Sequence, residues 1–224
     1  MAIEAVIFDR DGVLTEFDID AAEAFLQPKL GMTLIQLAQR WVQWSDLIGT
    51  PKSEAEEGDL FRGFWMYISD QIEANDELRQ ELFAFDYLNM IRPFADALAA
   101  VQHCKKLGLK VGVLSNFSLA TLGQSLIASG LADWVDYAAA APVIGYAKPQ
   151  AEAYYHIAEK LNVAAEDCLL LDDEPIYVQG ARSLGMTSIL VNRRLLAHDL
   201  TNNIICDLTA LPTLLERSGN AAVA

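Results

Sequence analysis

The feature that most constrains the fold is an apolar run that stops at two aspartates. Residues 5–8 read Ala-Val-Ile-Phe, and Asp9 and Asp11 follow with one residue between them, just before Gly12. A run that is apolar at every position is typical of a strand buried on both faces, as in a parallel sheet. The sequence therefore predicts two carboxylates at the carboxyl end of a buried strand, where ligands bind in open α/β sheets.

This pair of aspartates has two interpretations. If the chain stays extended, both side chains project to the same side, and they repel each other unless a proton or a cation lies between them. Carboxylate oxygens suit a hard cation such as Mg²⁺. Asp and Gly are also ordinary turn residues, so a solvated turn explains this stretch equally well when it is taken alone.

Further apolar runs alternate with helical patterns after residue 92. The predicted strands are residues 109–114, 168–171 and 187–191, with short strands possible at 134–138 and 204–205. Pro93 is predicted to open a helix, because proline is favoured at the first helical position. Strands that alternate with helices indicate an α/β fold with a Rossmann-like parallel sheet and helices on both faces.

Two of these strands also end in polar residues. Ser115 and Asn116 follow the strand at 109–114, and Asp172 and Asp173 follow the strand at 168–171. The carboxyl ends of parallel strands lie along one edge of the sheet, so we expect these side chains to meet the first two aspartates. Such convergence favours a functional site over three unrelated turns.

Residues 16–91 have a helical pattern with two aromatic stripes. Trp41 and Trp44 lie in one stripe, Phe64 and Trp65 lie in the other, and residues 49–53 separate the two blocks. We interpret this segment as an all-helical cap subdomain inserted after the first strand. The predicted α/β core then consists of residues 1–15 and 92–224, and the stripes form the core of the cap or its seam with the sheet.

Charge and cysteine content exclude several classes of partner. The 224-residue chain carries a formal net charge of −15 and has a pI of about 4.4, so phosphate backbones and anionic membranes repel it. We therefore expect no nucleic acid and no membrane partner, and an anionic small substrate requires a metal ion or a local positive charge. Three cysteines without a C-x-x-C pair, and a start without a basic leader, favour a cytoplasmic protein with buried thiols.

Four ordered motifs of this sequence resemble those of the haloacid dehalogenase-like (HAD) hydrolase superfamily. They are Asp9-Arg10-Asp11-Gly12-Val13, Leu114-Ser115-Asn116, Lys148-Pro149 and Leu171-Asp172-Asp173. The match spans nearly the whole chain, and the helical insertion is similar to the first type of helical cap in that superfamily. Members mostly hydrolyse phosphate monoesters with Mg²⁺, so the resemblance implies a Mg²⁺-dependent phosphatase that acts on a small phosphorylated metabolite.

The resemblance also implies a role for each motif residue. Asp9 is the expected nucleophile, and Asp11 is the expected general acid and then general base. Ser115 and Asn116 are expected to bind phosphate, while Lys148 offsets negative charge.

The Mg²⁺ site implied by the resemblance consists of the Asp9 and Asp173 carboxylates and the Asp11 backbone carbonyl. Asp172 is expected to lie beside the ion, either as a ligand or as a residue that orients one. Each motif also has a structural interpretation. Ser115-Asn116 resembles a turn, Lys148 a surface lysine, and Asp172-Asp173 a pair that favours a helix N-terminus.

Two positions depart from the pattern of the superfamily, and a third departs from that of its dehalogenating members. Arg10 stands where a smaller or apolar residue is usual, and Tyr177 stands where a second acidic or amide residue is common. Asp11 argues against dehalogenation, because dehalogenating members have a different residue there. A phosphomutase, a 2-haloacid dehalogenase and a non-catalytic scaffold of the same fold are the alternatives, and either a monomer or a homodimer fits the sequence.

Overall fold

The computed structural model describes residues 2–117 and 120–219. The described strands are β1 (Ala5–Phe8), β2 (Thr15–Phe17), β3 (Ile91–Pro93), β4 (Lys110–Ser115), β5 (Tyr137–Ala140), β6 (Cys168–Asp172), β7 (Thr187–Val191) and β8 (Ile204–Ile205). The described α-helices are α1 (Ile19–Leu30), α2 (Leu34–Ile48), α3 (Glu54–Gln71), α4 (Asp76–Phe83), α5 (Ala97–Lys106), α6 (Leu122–Ala128), α7 (Ala141–Ile144), α8 (Ala151–Leu161), α9 (Pro175–Ser183) and α10 (Leu211–Arg217).

Six of the strands form one parallel sheet in the order β5-β4-β1-β6-β7-β8. The first strand lies near its centre, where Phe8 pairs with Val113 of β4 and with Leu171 of β6. The predicted α/β Rossmann-like fold is therefore confirmed. In this register β4 extends two residues and β6 one residue beyond the partners of Phe8, so the three strands end close to one another.

Both faces of this sheet are covered, which explains why β1 is apolar at every position. Val6 and Phe8 pack into the cluster that contains residues of α5, α6 and α10. Ala5 and Ile7 face the opposite way and pack into the cluster that contains residues of α8 and α9. This alternation follows from the two-residue side-chain period of a strand.

Residues 19–83 form four helices around a separate aromatic cluster. Phe64, Trp65 and Ile68 of α3 are buried in it together with Leu26 and Leu82. Each helix begins at a side chain that accepts a backbone N–H of the first turn, as expected for residues of these types. These capping residues are Asp18, Thr33, Ser53 and Asn75. The division of the chain into a core and a cap stays a prediction, and the described residues end at 219, short of its last boundary.

The two ends of the helical segment pair with each other, which the sequence did not predict. Strands β2 and β3 run antiparallel, with Pro93 opposite Thr15. The prediction that Pro93 opens a helix is wrong, because α5 begins only at Ala97. Proline is tolerated at the last position of a short edge strand, and the next N–H, that of Phe94, donates to the Leu14 carbonyl over 3.0 Å.

The remaining expectations concern smaller elements. The possible strand at 204–205 is present as β8, whereas the possible strand at 134–138 begins later, at Tyr137, because a short 3₁₀ helix occupies Ala132–Trp134. Cys104 and Cys168 are buried free thiols, but Cys206 is only half-buried. Among the described helices, none is long and apolar enough to cross a membrane.

Candidate active site

Three acidic side chains meet at the carboxyl edge of the sheet. Asp9 follows β1, while Asp172 ends β6 and Asp173 follows it. Oxygen atoms of the three carboxylates lie within 4.8 Å of one another. The structure therefore brings together the predicted nucleophile and two of the predicted metal-binding residues.

Lys148 lies between two of these carboxylates. Its Nζ donates to Asp9 Oδ1 over 2.7 Å and to Asp172 Oδ2 over 2.6 Å, and the residue is only 3% exposed. The ammonium group also lies 5.2 Å from the centre of the Tyr177 ring, in cation–π range. Tyr177, which departs from the pattern of the superfamily, thus contacts the Lys148 ammonium group.

Asn116 fixes the backbone of Lys148. Its Nδ2 donates to the Lys148 carbonyl over 2.7 Å, and its Oδ1 accepts the Lys148 N–H over 2.8 Å. The following peptide bond, between Lys148 and Pro149, is cis. Its amide group thus holds the chain that carries the lysine, and the predicted phosphate-binding role of Asn116 stays a prediction.

Ser115 is buried at the end of β4, and its Oγ accepts the N–H of Phe117 over 3.1 Å. This bond turns the chain directly after the strand. Ser115 ends β4 and Asp9 directly follows β1, so both lie at the carboxyl edge of the sheet, where phosphate binding by Ser115 is predicted.

Asp172 and Asp173 have different surroundings although they are neighbours. Asp172 is fully buried, and its Oδ1 accepts the N–H of Glu174 over 3.0 Å. Asp173 is more exposed and lies against Gly12, where an added Cβ would come within 2.2 Å of Asp173 Oδ2. Gly12 has φ +78°, so both its backbone and its lack of a side chain are needed here.

The electrostatics of the cluster favour a bound cation. Burial raises the pKa of Asp9 to about 7; the Lys148 charge opposes this shift, and the Asp172 charge adds to it. Burial, with the charges of Asp172 and Glu174, raises the pKa of Asp173 to about 6. Burial also disfavours the charge of Lys148, but the two carboxylates outweigh it and raise the pKa of the amine. Negative charge is therefore in excess, and an all-oxygen donor set of this kind fits Mg²⁺.

Asp11 has a different partner. Arg10 Nη2 and Nε donate to Asp11 Oδ2 over 2.7 and 3.1 Å, and the Asp11 side chain is 42% exposed. The contact of Arg10 with Asp11 was not predicted, although the adjacency of the two residues in the sequence is a signal of this ion pair.

Arg193 is a second residue whose role the sequence did not indicate. Its Nε donates to the Gly12 carbonyl over 3.1 Å, and its Nη2 donates to the Val13 carbonyl. Its guanidinium also pairs with Asp96 over 3.0 Å. Arg193 thereby ties the turn after Asp11 to the start of α5, and no spacing rule would link residues 181 positions apart.

His198, Cys206 and Asp207 form another group of possible metal ligands. Their atoms already have partners, since His198 Nδ1 accepts the Cys206 N–H over 3.2 Å and Asp207 Oδ1 accepts the Thr209 N–H over 2.9 Å. Hydrogen bonding within the chain accounts for this cluster without an ion.

Comparison with known proteins gives one consistent family. A model of that family, described as haloacid dehalogenase-like hydrolase, matches residues 3–185. A phosphatase of Mycobacterium tuberculosis is 36% identical over 98% of this chain and 100% of its own length. Hexitol phosphatase B of Escherichia coli is 29% identical over 84% of this chain and 83% of its own.

Solved structures of the same fold include a phosphatase and dehalogenases. A HAD phosphatase from Thermococcus onnurineus has a TM-score of 0.64 at 21% identity, covering 99% of this chain and 100% of its own. A 2-haloacid dehalogenase from Pseudomonas syringae has a TM-score of 0.66 at 22% identity, covering 96% of this chain and 99% of its own. At such identities the similarity establishes the fold and does not distinguish the two activities.

Proposed function

The chain belongs to the haloacid dehalogenase-like hydrolases and is a phosphatase of that family; from this premise we propose that it hydrolyses phosphate monoesters of small metabolites with Mg²⁺, through an aspartyl-phosphate on Asp9. The observation that carries the proposal is the cluster at the sheet edge. There, Lys148 bonds to Asp9 over 2.7 Å, and oxygens of Asp9, Asp172 and Asp173 lie within 4.8 Å of one another.

In the first half of the reaction, an oxygen of Asp9 attacks the phosphorus atom. The bond from phosphorus to the ester oxygen breaks, and Asp11 gives its proton to the departing oxygen. Lys148 is already within 2.7 Å of the attacking carboxylate, so its charge stabilises the negative charge of the transferring group without reorganisation.

In the second half, Asp11 accepts a proton from water as the water oxygen attacks the phosphorus of the aspartyl-phosphate. The bond from phosphorus to Asp9 breaks, which releases inorganic phosphate and restores the carboxylate. The same side chain serves in both halves, because it is left ionised by the first and protonated by the second.

Asp9, Asp173 and the Asp11 backbone carbonyl would hold Mg²⁺, with Asp172 beside them. When bound, the ion neutralises charge on the phosphate and on the carboxylates. The excess of negative charge described above supports this assignment. A bound cation would also explain how a chain of net charge −15 can hold an anionic substrate.

The names of the relatives support a small organic phosphate as substrate. One relative is named a hexitol phosphatase, and another, from Neisseria gonorrhoeae, a phosphoglycolate phosphatase that is 27% identical over 96% of this chain and 92% of its own. These names differ in carbon skeleton and share the phosphate ester, so we propose the shared chemistry and no particular metabolite.

The proposal is tested by measuring phosphate release from a panel of phosphorylated metabolites and from p-nitrophenyl phosphate, with Mg²⁺ and with a chelator. We expect turnover that needs Mg²⁺ and is lost in Asp9→Asn. Asp133→Asn changes an exposed carboxylate in the same way and serves as the matched control. Full activity in Asp9→Asn, or turnover in the chelator, would contradict the proposal.

Two alternative activities on the same fold have distinct products. A 2-haloacid dehalogenase would release halide from a haloacid, and a phosphomutase would interconvert sugar phosphates without releasing phosphate. The presence of Asp11 with its own ion pair favours the phosphatase, because cleavage of a carbon–halogen bond needs no proton donor for the leaving group.

A further inference from the structure

Arg10 is an unusual residue to find buried. It lies between the two aspartates of the first motif and is only 2% exposed. A buried guanidinium is costly unless its N–H groups and its charge have partners. Its contacts therefore indicate what the residue is for.

The charged partner of Arg10 is Asp11. Nε and Nη2 donate to the same oxygen of that carboxylate, Oδ2, over 3.1 and 2.7 Å. Within the described part of the chain, the recorded hydrogen bonds to the Asp11 side chain all go to Oδ2. The second oxygen, Oδ1, is thus the one available to exchange a proton with a substrate.

The guanidinium is itself fixed from two sides. Nη1 donates to Ser125 Oγ over 3.2 Å, and Ser125 is fully buried in α6, where its hydroxyl donates to the Leu122 carbonyl. The ring of Phe117 lies 4.7 Å from the guanidinium carbon. Phe117 follows the Ser115-Asn116 motif, so Arg10 connects the loops that carry two of the four motifs.

The backbone of Arg10 is fixed as well. Its carbonyl accepts the N–H groups of Leu14 and Thr15 over 2.9 and 2.8 Å. The backbone of Arg10, one edge of its guanidinium and one face of the guanidinium plane thus all have partners. A planar group fixed in this way can keep a neighbouring carboxylate in one orientation.

We propose that Arg10 is a positioning residue, which holds Asp11 through Oδ2 so that Oδ1 faces the reacting oxygen. The inference rests on the proposed function, in which Asp11 transfers the proton. The contact is compatible with both protonation states of Asp11, because the carbonyl oxygen of a carboxylic acid still accepts hydrogen bonds. The proton leaves Oδ1 for the ester oxygen and returns to Oδ1 from water, while Oδ2 stays on Arg10.

The test compares substrates whose leaving groups differ in their need for a proton. In Arg10→Leu, we expect kcat/KM for an alkyl phosphate such as glycerol phosphate to fall about 10- to 100-fold, part of the usual contribution of general acid catalysis. The value for p-nitrophenyl phosphate should change little, because nitrophenolate departs without protonation. The ratio kcat/KM reports the step in which the leaving group departs, so the second half of the reaction does not obscure the comparison.

A double-variant cycle shows whether Arg10 acts through Asp11. We expect Arg10→Leu to add no further loss in an Asp11→Asn background, since residues that act through each other are not additive. Arg79→Leu is the matched control, because Arg79 pairs with Asp70 over 2.7 Å in the helical segment. If Arg10→Leu does not fold, Ser125→Ala removes one support and should give the same preference for the aryl substrate, to a smaller extent.

Two results would overturn the inference while leaving the proposed function intact. One is an equal loss for alkyl and aryl phosphates in the folded variant, which is the result of a purely structural role. The other is full additivity with Asp11→Asn. Failure of the proposed function is recognised separately, because the unaltered enzyme would then release no phosphate from either substrate.

Discussion

Buried charge is held in opposite ways at the sheet edge and at the seam between α3 and α6. At the sheet edge, Lys148 forms ion pairs with both Asp9 and Asp172, so each buried charge has a partner of opposite charge. At the seam, Glu57 of α3 is 2% exposed and accepts hydrogen bonds from neutral groups. These are the N–H groups of Ala120 and Thr121 and the Thr121 hydroxyl, the last over 2.7 Å.

The difference separates the proposed catalytic site from a contact that joins α3 to the turn before α6. Three carboxylates against one ammonium leave the sheet edge with negative charge that a proton or a cation can neutralise. The Glu57 carboxylate instead accepts hydrogen bonds from the N–H groups of Ala120 and Thr121, in the turn that precedes α6. No step of the proposed reaction involves this carboxylate.

The largest expected effect is that of removing Lys148. Lys148→Met leaves Asp9 and Asp172 buried without their cation, so we expect a loss of about 3–5 kcal/mol in the free energy of unfolding. The activity should fall roughly 10²- to 10³-fold, because a preorganised charge at the transferring group is lost. Urea unfolding and phosphate release measure the two effects.

The pH dependence of this loss sharpens the comparison. Burial raises the pKa of Asp9, and protonation of Asp9 removes one of the two unpaired charges, so the destabilisation should be smaller at pH 5 than at pH 8. Lys160→Met removes an exposed lysine at the end of α8 and should leave both measurements nearly unchanged. If Lys148→Met were as active as the unaltered enzyme, Lys148 would have no role in the proposed reaction.

Two alanine variants distinguish the strain of a positive φ from the close contact between Gly12 and Asp173. Gly12 and Gly31 both have positive φ, +78° and +63°, but only at Gly12 would a Cβ meet another atom, Asp173 Oδ2 at 2.2 Å. Alanine at either position should cost roughly 1–2 kcal/mol of stability through its backbone conformation. Only Gly12→Ala should also displace Asp173, and we expect about a 10²-fold loss of activity from it. Equal activity in the two variants would mean that Asp173 need not be held closely.

The sequence predicted the sheet edge well because its signals are local. An apolar run followed at once by polar residues marks the end of a buried strand, and parallel topology then brings Asp9, Ser115 and Asp172 to one edge. The order of the motifs placed Lys148 with them, although its bonds to the two carboxylates could not be inferred from spacing.

The seam and the ends of the helical segment could not be predicted in this way. Glu57 contacts residues more than 60 positions away, and nothing in its own stretch distinguishes it from the exposed Glu54 and Glu56. Pro93 has the sequence features of a helix start, and only its pairing with Thr15 makes it the end of a strand. Contacts between distant residues decide both cases, and local propensity carries no information about them.

A smaller effect tests the seam itself. Glu57→Ala removes an acceptor from N–H groups that lie in a partly buried turn, so we expect a loss of about 1–3 kcal/mol in stability. Glu54 crosses the same seam to Gln124 over 2.9 Å but is exposed, and Glu54→Ala should stay within about 0.5 kcal/mol. Denaturant unfolding of the two variants provides the measurement, and equal losses would show that burial of Glu57 contributes nothing.

The smallest expected effect is a pH-dependent stabilisation by Mg²⁺. The pKa values of Asp9 and Asp173 are raised from 3.8 to about 7 and about 6, so between pH 4 and pH 7 the folded protein keeps protons that the unfolded chain releases. Without divalent cations, stability should therefore fall as the pH rises through this window, because the folded state binds more protons there.

Mg²⁺ competes with these protons, so it should raise the melting temperature by a few degrees at pH 8 and by less at pH 5. The rise in melting temperature caused by Mg²⁺ should persist in Glu57→Ala and disappear in Asp173→Asn, since the proposed Mg²⁺ site lies at the sheet edge. An equal Mg²⁺ shift at both pH values, or one that survives Asp173→Asn, would place the cation elsewhere on the protein.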